Sequence, residues 1–120
     1  MVTIMELQVV LALCKNDKIS GLDGIPVEFY IALFDVLGLD LLQVVEEYRG
    51  SGKIPDVFNT TLISLIPKSS SPKSFEDFSP ISLCNCICKI IGKMISTRIK
   101  KVLSHYIYGE KVGFLHGRQI

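Results

Sequence analysis

The stretch 83–106, LCNCICKIIGKMISTRIKKVLSHY, decides how the rest of the chain is read. Its apolar residues Ile87, Ile90, Ile91, Met94, Ile95, Ile99, Val102 and Leu103 recur at steps of three and four. At about 100° per residue they form one broad stripe, which predicts a long amphipathic helix packed against a core. Lys89, Lys93 and Lys100 cluster on the opposite side. Arg98 lands inside the stripe, where a buried guanidinium needs a carboxylate or phosphate partner. Cys84 and Cys88 are four apart and are expected on one apolar helix face as small buried hydrophobes.

Upstream, Thr60 to Ile66 (TTLISLI) is β-branched and apolar and is closed by Pro67, which predicts a buried or half-buried strand. Lys68 to Ser74 (KSSSPKS) is a polar loop. Pro80 favours extended backbone before it, so the chain returns through an extended Ile81-Ser82-Leu83. Nearer the start, residues 4–15 read as a short helix, and Ser20-Gly21-Leu22-Asp23-Gly24 as a tight turn. Pro26 suits the first turn of a helix running to about Val36. Gly38 is expected to break or bend it before a second stretch, Leu39 to Tyr48, which stops at Gly50-Ser51-Gly52. The reading is α+β, dominated by helix, with one small β element.

At 120 residues the chain makes one small domain, and 48% hydrophobic content excludes a disordered tail. The net charge of +1 conceals an asymmetry. Residues 1–60 hold nine acids and four bases, a net of −5, and residues 61–120 hold three acids and nine bases, a net of +6. One face is therefore suited to meet phosphates. No apolar run is long enough to span a bilayer, and the run from Val9 to Cys14 lacks a basic residue before it and a small residue at a cleavage position. An intracellular location, nucleus or cytoplasm, without secretion or membrane is expected. Cys84, Cys86 and Cys88 alternate, unlike the paired Cys-x-x-Cys spacing of zinc sites, so neither a metal ligand set nor a disulfide is expected.

Catalytic patterns are scarce. There is no phosphate-cradling Gly-x-x-x-x-Gly-Lys loop, and nothing singles out a Ser–His pair. Glu46 and Glu47 point about 100° apart on a helix, as a solvated face would, and Asp23 reads as a turn residue. The bases are more informative. Five fall between Lys89 and Lys101 with no acid among them, Lys68 and Lys73 precede them, and Arg118 follows. Such a set fits contact with a phosphate backbone without base reading, though charge alone favours a solvated face on a core-packed helix.

Five segments carry a resemblance in a fixed order. They are Gly21-Leu22-Asp23-Gly24-Ile25-Pro26-Val27-Glu28-Phe29-Tyr30; Leu62-Ile63-Ser64-Leu65-Ile66-Pro67-Lys68; Asp77-Phe78-Ser79-Pro80-Ile81-Ser82-Leu83-Cys84-Asn85; Lys89-Ile90-Ile91 through Arg98-Ile99-Lys100; and Gly113-Phe114-Leu115-His116-Gly117-Arg118-Gln119-Ile120. Together they resemble the reverse transcriptase of LINE-type, non-LTR retrotransposons, in the form common in plant genomes. The resemblance covers about residues 15–120.

It implies a fragment of a right-hand polymerase. Residues 15–60 would be a helical region before the fingers, 61–82 the fingers strands, and 83–120 the basic helix and palm entrance. It implies that Lys68 lies near the triphosphate of an incoming nucleotide. Lys89, Lys93, Lys100, Lys101 and Arg118 would contact an RNA or DNA template or primer. Ser79 stands where the family carries an arginine, so that cation is missing. Leu22 and His116 also depart from the family pattern. The family's Mg²⁺-binding aspartates lie beyond the last matched block, and this chain has no Asp-Asp pair. No catalytic or metal-binding residue is expected within it, no cofactor of its own, and no polymerisation by this chain alone. Two other readings stand beside this one. One is a helical protein-interaction module using an uncovered apolar surface. The other is a stand-alone nucleic-acid binder using the Lys89–Lys101 face.

Overall fold

A computed structural model describes residues 1–14 and 19–106. Helix α1 is Ile4–Cys14, α2 Val27–Ala32, α3 Phe34–Ser51 and α4 Asp56–Asn59. Strand β1 (Thr61–Pro67) pairs antiparallel with β2 (Phe78–Cys84), a 3-10 turn at Phe75–Asp77 leading into β2, and α5 is Cys86–Tyr106. The core lies where α1 meets the first half of α5. Leu7 and Ile90 are wholly buried there, with Val10, Leu11, Ile87, Ile91 and Met94 around them. α2 adds Val27 and Tyr30, and α3 adds Leu41 and Val45. Each such side chain contributes roughly 1.5–3 kcal/mol on leaving water, so this helical layer holds the fold.

The long helix forms as its periodicity predicts, but only half of its apolar stripe is buried. Ile95, Ile99, Val102 and Leu103 are exposed, because the start of α1 meets the second half of α5 through Arg98 rather than over these apolar side chains. The helix expected over Pro26–Val36 also differs. It ends at Ala32, and α3 begins at Phe34 and runs through Gly38 to Ser51. Leu33 makes the break with φ −104° and ψ 20°. Gly38 does not interrupt the helix; it makes room. A Cβ there would lie 3.1 Å from Cζ of Phe34, whose ring covers the glycine one turn later. The expected stop at the glycines is kept, since Gly52 caps α3 at φ 67° and its N–H donates to the Tyr48 carbonyl at 2.8 Å.

The predicted strand forms, but it is exposed along its whole length rather than buried. The hairpin stands clear of the helical layer, and Ile63 is 71% exposed. The cysteine expectation changes as well. Cys84 ends β2 and is only half-buried, as is Cys88, so they do not share a buried helix face. Cys86 is the buried thiol of that group, and burial pushes its pKa up to about 12. The described cysteines are unbridged.

Candidate nucleic-acid interface

Three of the quoted segments converge at the junction between β2 and α5. Asn85 is the one buried polar side chain among the described residues, at 4% exposure. Its Oδ1 accepts the Asp23 N–H at 3.2 Å, and its Nδ2 donates to the Val57 carbonyl at 3.3 Å. Both ends of the amide are thereby satisfied, as burial requires. The turn that Asn85 grips is tight. Gly24 sits at φ 69°, its N–H donates to the Gly21 carbonyl at 3.1 Å, and Asp23 Oδ1 accepts the Ile25 N–H at 3.1 Å. Gly21 allows the close approach, because a Cβ there would lie 2.6 Å from the Cys84 carbonyl carbon. Asp23 is therefore a turn residue, as its sequence neighbourhood suggests. Nothing local in the sequence marks this role of Asn85, whose partners are 62 and 28 residues away.

α5 leads out of this junction with its lysines. Lys89, Lys93 and Lys100 fall within about 40° of arc and span about 16 Å of axis, at roughly 100° and 1.5 Å per residue. Lys89 and Lys93 are half-buried and Lys100 is exposed. The Lys89 ammonium donates to the Ile19 carbonyl and so ties the turn segment to the helix. An ammonium has three donors, so this bond leaves the charge available to an anion. Lys101 is turned about 80° or more from the three, toward α1, where its charge helps lower the pKa of Glu6. The structure thus brings together three of the sequence-predicted lysines and separates Lys101 from them. Arg118 lies outside the described residues.

Arg98 receives the carboxylate that its position demands. Its Nε and one terminal nitrogen each lie 2.8 Å from an oxygen of Glu6, and the same terminal nitrogen donates to the Met1 carbonyl at 3.3 Å. This fork holds the Glu6 carboxyl below the usual range and raises Arg98 further. The pair is half-exposed rather than buried, so its partner is found without a large desolvation cost. Glu46 is no free solvated carboxylate either. It accepts the Val2 backbone N–H and the Arg49 side chain at 2.8 Å, and the Val2 bond chiefly lowers its pKa.

Lys68 follows the end of β1. Its N–H donates to the Asp77 carbonyl at 2.7 Å, and its Nζ donates to the Glu76 carbonyl at 2.8 Å, folding the ammonium over the hairpin loop. Asp77 organises that loop. Its Oδ2 accepts the Lys73 and Ser74 N–H groups at 2.8 and 3.0 Å, which hold its carboxyl below the usual range. The Ser74-x-x-Asp77 spacing is a capping-box signal that could have found this role. Ser79 is half-buried opposite Ile66 and adds no cation.

A cavity of about 410 Å³ opens on the other side of α5, floored by Val44, Tyr48, Ile54, Phe58 and Ile91. It shares no residue with the lysine stripe. Among the described residues no three His, Cys, Asp or Glu side chains gather as metal ligands would, and no helix is long and apolar enough to cross a membrane.

No family model matches the sequence. It is similar to the "Transposon TX1 uncharacterized 149 kDa protein" of Xenopus laevis, with 34% identity over 119 residues. The match takes in 99% of this chain and 9% of the relative, so the chain spans about a tenth of the curated relative's length. The chain is thus related, along nearly its whole length, to a transposon protein.

Proposed function

We infer that the chain is the fingers-side segment of a non-LTR retrotransposon reverse transcriptase, catalytically inactive alone and able to hold nucleic acid through its phosphates. The observation that carries this reading is the ordered set of five sequence segments. Kinship to a transposon protein supports it. So does the geometry, in which the Gly21–Gly24 turn, the end of β2 and the start of the basic helix are pinned by Asn85.

In this reading Lys89, Lys93 and Lys100 meet successive phosphates of a template strand. Lys68 stands at the end of β1, ready to exchange its loop carbonyl for a nucleotide phosphate. The described residues do not fit the Mg²⁺ that polymerisation needs. The described acids form no cluster, and the Asp77 carboxylate is already committed to the Lys73 and Ser74 amides. No step of phosphoryl transfer is therefore derived for this chain.

Filter binding of a single-stranded RNA at rising salt tests the proposal. Three phosphate contacts predict a log–log slope of about −2, an affinity loss of about 20-fold between 50 and 200 mM salt. Reversing Lys89, Lys93 and Lys100 to Glu should abolish that slope for all sequences alike. Binding with no salt dependence, or unchanged by the reversal, would remove the interface. Primer extension with Mg²⁺ tests inactivity, and template-dependent incorporation by the pure chain would contradict it. The competing reading, a protein-interaction module, is favoured by the exposed Ile95, Ile99 and Val102 on α5. Protein capture abolished by Ile99→Lys, together with absent RNA binding, would select it.

A further inference from the structure

The hairpin carries an inference independent of nucleic-acid binding. The Lys68 N–H donates to the Asp77 carbonyl, continuing the register in which Pro67 faces Phe78. Backbone donors alternate sides along an extended strand. Leu62, Ser64 and Ile66 therefore turn their N–H and C=O groups toward β2. Thr61, Ile63 and Leu65 turn theirs outward, on a strand exposed at every residue. By the same parity Pro80, opposite Leu65, has its missing N–H on the outer edge of β2.

The two edges consequently differ. The β2 edge is blunted by Pro80. Pro67 is outward by the same parity but blunts only the last position of β1; from Thr61 to Ile66 that edge has no charge and no proline, the usual protections against edge-to-edge pairing. Its core, Leu62-Ile63-Ser64-Leu65-Ile66, is also self-complementary when reversed about Ser64.

We propose that the free edge of β1 is a homodimer interface, at which β1 of a second copy pairs antiparallel about a two-fold axis at Ser64. Ile63 and Leu65 then exchange their outward backbone bonds with Leu65 and Ile63 of the second copy. Leu62 meets Ile66 on one face of the four-stranded sheet, Ile63 meets Leu65 on the other, and Ser64 faces its own copy. Such apolar cross-strand pairs are the stabilising unit of a sheet. Lys68 falls opposite Thr60, so no like charges oppose each other across the axis. A seven-residue edge is about 24 Å long and covers well under the ~800 Å² per partner of a standard interface. The dimer is therefore concentration-dependent, and a neutral strand selects a copy of itself rather than a polyanion.

Sedimentation equilibrium of the full chain tests this. The apparent mass should rise from 13.4 kDa toward twice that value as concentration increases from micromolar to near-millimolar. The double variant Ile63→Lys/Leu65→Lys sets lysines opposite lysines and should stay monomeric, with its far-UV circular dichroism unchanged. A second test leaves the edge intact. Residues at Ser64 would have Cα atoms about 4.5 Å apart, within disulfide reach, so Ser64→Cys should cross-link under diamide well above the wild-type background. Thr61→Cys, opposite Pro67, should not. A monomer at every concentration would overturn the proposal. So would a dimer that survives the two lysines, or Ser64→Cys cross-linking no better than Thr61→Cys. If the lysine variant loses its hairpin, the cross-linking comparison decides alone.

Discussion

Replacing Gly21 with Ala tests whether the turn is truly clamped against the β2–α5 junction. Gly21 does not occupy the left-handed region, so alanine meets no conformational penalty there. The cost is steric. The new Cβ would lie 2.5 Å from the Asn85 nitrogen and 2.6 Å from the Cys84 carbonyl carbon. Both are backbone atoms, so no flexible side chain can swing away. Overpacking of this kind costs about 1–3 kcal/mol, and shifting the turn also strains the bond from the Asp23 N–H to Asn85. We expect a loss of about 2–4 kcal/mol, which lowers Tm by roughly 10–20 °C for a domain of this size. Gly24→Ala is the control. It has open space around the new methyl but φ 69°, so it should cost only about 1–2 kcal/mol. Asn85→Ala leaves the Asp23 N–H and the Val57 carbonyl unpaired and should cost about 2–4 kcal/mol. The double variant Gly21→Ala/Asn85→Ala should lose less than the sum of the two, because the sites touch. Urea unfolding followed by circular dichroism measures all four. A Gly21→Ala cost below about 0.5 kcal/mol, or strict additivity with Asn85→Ala, would refute the clamp.

Other outcomes follow from the same geometry. Glu6→Gln should cost about 0.5–1 kcal/mol, the range of a well-aligned pair that is half-exposed, and the loss should shrink in high salt. Because the folded Glu6 titrates below 4.5, its contribution is complete above that pH and vanishes as pH falls through the lowered value; a loss of stability on raising pH would contradict the pairing. Gly92→Ala should stabilise by about 0.5–1 kcal/mol, since the glycine lies inside α5 with nothing within 4 Å of the new methyl. The thiols of Cys14 and Cys86 should resist Ellman's reagent in the native protein and react only on unfolding, whereas rapid native labelling of Cys86 would contradict its burial.

Local chemistry in the sequence was enough for several elements. Steps of three and four specify α5, the β-branched run specifies β1, and Gly52 stops α3, because each signal acts within a few residues. The misplaced break shows where that ends. A glycine reads locally as a breaker, yet Gly38 is held in α3 under the ring of Phe34. Exposure was not legible either, since apolar residues at strand spacing say nothing of whether another layer covers them. The candidate interface divides in the same way. The arc shared by Lys89, Lys93 and Lys100 follows from helical spacing alone, and so does the demand of Arg98 for an anion. That the anion is Glu6, 92 residues away, that Lys89 ties down Ile19, and that Asn85 joins turn, strand and helix were decided by tertiary structure. Pattern determines which face a side chain takes, because that depends only on its own helix or strand. The partner waiting on that face is brought there by distant segments of the chain, and only their packing can supply it.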